Sequence, residues 1–137
     1  MFIVYSLLQN HPASTVCEQF IRARSGWFTT VSSLLEAKAV LTKIYGIEAG
    51  VVTTNLAAFA EELFDVLPVD AATTLAAMKL ADAQGLDFTD SLLLVSARSL
   101  GAATLATDDQ KLARACAQFG IGVENPVDGF LRQQMKN

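Results

Sequence analysis

The sequence predicts an α/β protein, a three-layer α/β/α sandwich around a mainly parallel central sheet. Three observations lead there. Short β-rich runs alternate with helical patterns from one end of the chain to the other. The helical patterns open at capping side chains or close at glycines. Strands separated by a helix's length of chain pair in parallel through right-handed crossovers. In such sheets the working site lies at the carboxyl ends of the strands, near a topological switch point.

The elements follow in order. In MFIVYSLL every residue but Ser6 is apolar or aromatic, which marks a buried opening segment. The helical pattern in ASTVCEQFIRARSG starts near Thr15, with Glu18 three residues on, and stops at Gly26. WFTTV reads as a strand. SSLLEAKAVLTKIYG is a helix with apolar positions at Leu34, Leu35, Val40, Leu41 and Ile44, closed by Gly46. A helix or helical turn covers Asn55 to Leu63, and FDVLPV is a strand. Asp70 is a good N-cap for AATTLAAMKLADAQ, which ends at Gly85. Thr89 or Asp90 begins the helix SLLLVSARSL, closed by Gly101. AATLAT is a strand, Asp108 caps QKLARACAQF, Gly120 closes it, and IGVEN is a last short strand. Pro126 starts a final amphipathic helix.

Composition bounds the function. The 137 residues make one domain, 52% hydrophobic with a mean hydropathy of +0.36. No apolar run reaches the roughly 20 residues a bilayer span needs, so the excess of Ala, Leu and Val belongs to a core and no membrane partner is expected. The opening has neither a basic n-region nor a small-residue cleavage site, so it does not read as a signal peptide. Cys17 and Cys116 fall in helical segments and make no disulfide framework; a reduced, cytoplasmic chain is expected. A net charge of −4 argues against a broad nucleic-acid groove but not against a nucleic-acid enzyme whose acidic site holds a metal ion.

The chemistry narrows by elimination. The single histidine, His11, sits in a QNHP turn and reads as a solvated or capping loop residue. No G-x-S-x-G, G-x-G-x-x-G or Walker A motif is present, and Gly120-Ile121-Gly122 is a helix stop. Cys/His spacing for zinc is absent. Carboxylates at strand ends and helix starts remain: Glu36 soon after WFTTV, Asp87 and Asp90 in GLDFTDS, and Asp108 and Asp109 directly after AATLAT. Such a cluster repels itself unless a hard cation occupies it, and Mg²⁺ or Mn²⁺ would take oxygen ligands and keep waters for hydrolysis. Each carboxylate also has a structural reading. Ser33-x-x-Glu36 is a capping box, and Thr89, Asp90 or Asp108 can cap a helix.

Their surroundings add a resemblance. TTVSSLLEAKAVLTKIYG resembles the segment of PIN-domain nucleases that carries a helix glutamate. The stretch from LFDVLPVD to TDDQKLARA is similar to the rest of that family: the L-P-V-D lead-in, the aspartate opening a helix that ends in A-R-x-L-G, and the strand closed by T-x-D appear in order. The resemblance runs from residue 2 to about residue 130 and looks closest to the VapC-type toxins of toxin–antitoxin pairs. It implies a ribonuclease in which Glu36, Asp90 and Asp109 hold one or two ions, Mg²⁺ or Mn²⁺, and a metal-activated water cuts an RNA phosphodiester. Asp108 would share the metal site, and Thr107 and Asp87 would support it. An antitoxin protein and a second copy of the chain are the implied partners, the latter through the helices at 15–24 and 34–45.

By the same resemblance FIVYSLLQNHP matches the family's first helix, with Tyr5 on a tyrosine-like position. The family's first-strand aspartate, from D-T-N or D-S-N, would fall about two residues before Met1. The domain is therefore expected to be short at its N-terminus, either because the chain starts at a late methionine or because FIVY replaces the strand. Weak or absent cleavage follows, and a catalytically inactive module that binds an antitoxin or itself is the alternative. A phosphoacceptor receiver domain shares the layers, but it needs an acidic pair after the first strand and a lysine after a late strand, and neither is here.

Overall fold

A computed structural model describes residues 1–136. The elements are α1 (Phe2–Leu7), α2 (Ser14–Arg22), β1 (Trp27–Thr30), α3 (Val31–Lys43), α4 (Ala49–Leu63), β2 (Phe64–Leu67), α5 (Ala71–Gln84), α6 (Phe88–Leu100), β3 (Thr104–Ala106), α7 (Gln110–Gln118), β4 (Gly122–Glu124) and α8 (Gly129–Lys136). The chain is α/β, with the expected alternation along its length. It forms two compact units: Met1–Thr29 with Leu34–Leu67 and the segment from Pro126, and Thr30–Ser33 with Pro68–Asn125.

In the first unit the opening segment is helical, so FIVY does not act as a strand. Phe2, Val4 and Tyr5 are buried, and Phe2 meets Phe20 of α2 edge-on, 6.3 Å between ring centroids. The aromatic contacts continue from Phe20 to Trp27, then to Phe64 and Phe59. The Trp27 indole N–H donates to the Ile21 carbonyl at 2.7 Å, which satisfies its one polar atom. His11 is a capping loop residue. Its Nδ1 accepts the Ala13 N–H at 3.1 Å and its ring stacks on Tyr5, and burial lowers its pKa.

Several helix starts differ from expectation, each for a local reason. α3 begins straight after β1 because the Thr30 hydroxyl accepts the Ser33 N–H at 3.1 Å. The expected Ser33-x-x-Glu36 box is therefore not the cap, and Glu36 lies in the second turn without that duty. α4 starts at Ala49 rather than Asn55. The Glu48 carboxylate takes the Gly50 and Val51 N–H groups at 2.8 and 3.0 Å, a cap that glutamate's low N-cap preference conceals in the sequence. α8 starts not at Pro126 but after Asp128, whose side chain accepts the Leu131 N–H at 2.7 Å.

The second unit holds α5, α6, β3, α7 and β4. Asp70 caps α5 as expected, accepting the Thr73 N–H at 2.7 Å, and Gly85 closes the helix at φ 66°. β3 and β4 pair in parallel, Thr104 against Gly122, Leu105 against Val123 and Ala106 against Glu124. Among the described residues the ladder is not continuous across all four strands; β1 pairs with β2 and β3 with β4. Leu92, Leu94 and Ala97 of α6 are fully buried, and Leu105, Leu112 and Cys116 are buried with them. Burying each leucine contributes about 1.5–3 kcal/mol. Among the described residues no helix is long and apolar enough to cross a membrane.

Candidate functional site

The expected carboxylates divide between the two units. Asp87, Asp90, Asp108 and Asp109 belong to the second, and Glu36 lies exposed on α3 in the first. The site is therefore built from α6, α7 and the end of β3.

Two nearby aspartates stand at the start of each helix here, and one of them makes the cap. For α6 the cap is Asp87, whose Oδ1 accepts the Asp90 N–H at 2.8 Å; neither Thr89 nor Asp90 caps it. Asp90 becomes the third helical residue, half-buried in the first turn, where the helix dipole favours a negative charge. For α7 the cap is Asp109, not Asp108, and its Oδ1 accepts the Leu112 N–H at 2.9 Å. The loop before it is held at both ends. The Thr107 N–H donates to the Glu124 carbonyl at 3.0 Å, carrying the parallel ladder one residue past β3. The Thr107 hydroxyl accepts the Asp109 N–H, also at 3.0 Å. Asp109 is thus fixed at the carboxyl end of a strand by a neighbouring hydroxyl.

A cavity of about 590 Å³ opens here, lined by Gly85 and Leu86 of the turn after α5, Asp87 and Asp90 of α6, and Asp109, Gln110, Lys111 and Arg114 of α7. Asp87, Asp90 and Asp109 thus line one cavity. Asp108 is half-buried and does not line it. The charge of Asp90 reaches α7, since after burial it is the next cause pushing the buried Cys116 thiol up from its ordinary pKa. Beside Asp90, the fully buried Ser91 hydroxyl has no hydrogen-bond partner among the described residues.

The donor set suits a hard divalent cation. Its ionisable oxygen ligands are carboxylates, and no histidine or cysteine lines the cavity. Among the described residues no three His, Cys, Asp or Glu side chains gather closely enough to enclose an ion. Mg²⁺ does not need such an enclosure, since it keeps several waters and uses one or two carboxylates together with substrate phosphates. The residues fit an open, hydrated site.

Lys111 and Arg114 were not anticipated. The signal was present: two cations three residues apart, just after Thr107-Asp108-Asp109, both exposed on α7.

No curated protein and no solved structure matches the chain. The PIN domain family does, over residues 2–118. That span runs from the first residue of α1 to the last of α7 and takes in Glu36 and every carboxylate of the cavity. By that match the chain belongs to the PIN domain family.

Proposed function

We propose that this PIN domain is a divalent-metal-dependent endoribonuclease of the VapC toxin type. The observation that carries the reading is the cavity at the carboxyl end of β3, which Asp87, Asp90 and Asp109 line. PIN domains are nuclease-type folds that generally depend on divalent metal ions and act on RNA, and Asp90 and Asp109 are the ligands proposed here; Glu36 is proposed as a catalytic residue on the family resemblance alone. When bound, Mg²⁺ or Mn²⁺ supplies Lewis-acid stabilisation of a phosphodiester and a water acidic enough to attack it. The protein's part is to hold and orient. Asp109 uses Oδ1 on the helix cap, so Oδ2 is the oxygen offered to a cation, and Thr107 fixes its backbone. Asp87 uses Oδ1 in the same way and supports Asp90 by fixing its N–H. Asp108, next in the chain to Asp109 but outside the cavity lining, is proposed to share the metal site on the family resemblance alone.

The partners follow the same reading: RNA as substrate, an antitoxin protein as inhibitor, and a second copy through α2 and α3. Leu35 of α3, 64% exposed, and Ile44 just beyond its end, 73% exposed, support the last of these. Light scattering at micromolar concentration should give a dimer, and a monomer would remove it. The functional test is cleavage of a labelled RNA with Mg²⁺, Mn²⁺ or EDTA. Metal-dependent cutting by the wild type, lost in Asp90→Asn and Asp109→Asn and reduced in Glu36→Gln, is expected. Cutting that survives EDTA or Asp90→Asn would overturn the reading.

A further inference from the structure

We propose that Lys111 and Arg114 form a phosphate-binding subsite that seats the backbone of single-stranded RNA beside the carboxylates. The inference rests on the nuclease reading above for its choice of RNA, but its observations are separate. Both cations line the cavity that holds Asp87, Asp90 and Asp109, and both are exposed. Among the described residues neither is within ion-pair distance of a carboxylate; the ion pairs join Arg22 to Glu18 and Glu62 in the other unit. Cations that served to neutralise the acidic wall would be expected to pair with it.

The chemistry favours a polyanion. Three carboxylates against two cations leave the wall slightly negative, and one divalent ion would reverse its sign. A nucleic-acid strand approaching the carboxylates alone is repelled, and the repulsion grows in a chain of net charge −4. Lys111 and Arg114 give the strand a place to sit. Residues three apart on a helix are neighbours, with Cβ atoms about 5–6 Å apart, so the two side chains can hold one phosphate or adjacent ones. Arginine contributes a planar fork that matches phosphate oxygens, lysine a mobile point charge. Buried Leu112, Ala115 and Cys116 anchor α7, so the exposed cations project from a fixed helix.

The test is fluorescence anisotropy with a labelled single-stranded RNA oligonucleotide in EDTA, across a salt series, with cleavage in Mg²⁺ or Mn²⁺ measured in parallel. Lys111→Ala and Arg114→Ala should each weaken binding about fivefold at low salt and lower the slope of log affinity against log salt by about 0.7. Lys111→Arg should restore binding, and melting temperatures should not move. Asp90→Asn should bind RNA at least as well as the wild type while failing to cut. Unchanged affinity and slope in the double Lys111→Ala, Arg114→Ala variant would overturn the subsite, even if the wild type cleaves RNA. Salt-dependent binding that needs these two cations, without metal-dependent cleavage, would overturn the nuclease reading and leave the subsite standing.

Discussion

Asp109 has two oxygens and two possible employments. Oδ1 accepts the Leu112 N–H and caps α7, and the residue also lines the cavity. Substitution separates the two. Asparagine caps as well as aspartate, whereas alanine costs about 1 kcal/mol at an N-cap. Asp109→Asn is therefore expected to keep the stability of the wild type in urea denaturation and to lose metal-dependent cleavage. Asp109→Ala should lose both. An Asn variant that cleaves normally would reduce Asp109 to a structural cap. Ser91 makes the opposite case, because its buried hydroxyl has no partner among the described residues. Removing it removes a desolvated polar group, and Ser91→Ala should raise stability by roughly 1 kcal/mol. A destabilised alanine variant would mean that the hydroxyl is satisfied in solution.

At the level of elements, helix starts here depend on ionised carboxylates. The Glu48 carboxylate lies below its ordinary pKa because it accepts the Gly50 and Val51 N–H groups of α4. Asp70 is lowered too, by hydrogen bonds from the Thr73 backbone and side chain at the start of α5. A carboxylate held lower in the folded protein than in the unfolded chain contributes stability at neutral pH. That contribution fades as pH falls from the ordinary carboxylate range through the folded value. Thermal melting followed by circular dichroism should therefore fall in temperature as pH drops below about 4.5. In the double Glu48→Gln, Asp70→Asn variant the fall should be shallower, since neutral amides keep an acceptor but do not titrate. An identical acid profile would show that other carboxylates govern it.

For the molecule as a whole, the buried thiols are reporters of unfolding. Cys17 and Cys116 are reduced and fully buried, and burial raises the pKa of the Cys116 thiol above its ordinary value. A thiol reagent at neutral pH should therefore label neither until the protein opens. Leu92 is fully buried in the same unit as Cys116, and Leu92→Ala should cost about 2–5 kcal/mol and accelerate labelling of Cys116 accordingly. Rapid labelling of the native wild type would contradict the burial described here.

The sequence by itself determined the order of helices and strands, the glycines that end them and the carboxylates that line the cavity. Those signals are local: Gly85 and Gly101 adopt positive φ where an ordinary side chain is strained, and Asp70 caps a helix whose pattern begins at once. Three things were left to the tertiary structure. Nearby candidates such as Asp87 and Asp90, or Asp108 and Asp109, can each serve as a cap by local chemistry. The turn after α5, and the hold of Thr107 on β4, select Asp87 and Asp109. Strand pairing is a contact between distant residues, so the alternation in the chain predicts parallel ladders but not that β1 pairs with β2 and β3 with β4. The cations of α7 acquire meaning only because packing turns Leu112 and Cys116 inward, which leaves Lys111 and Arg114 on the wall that holds Asp90.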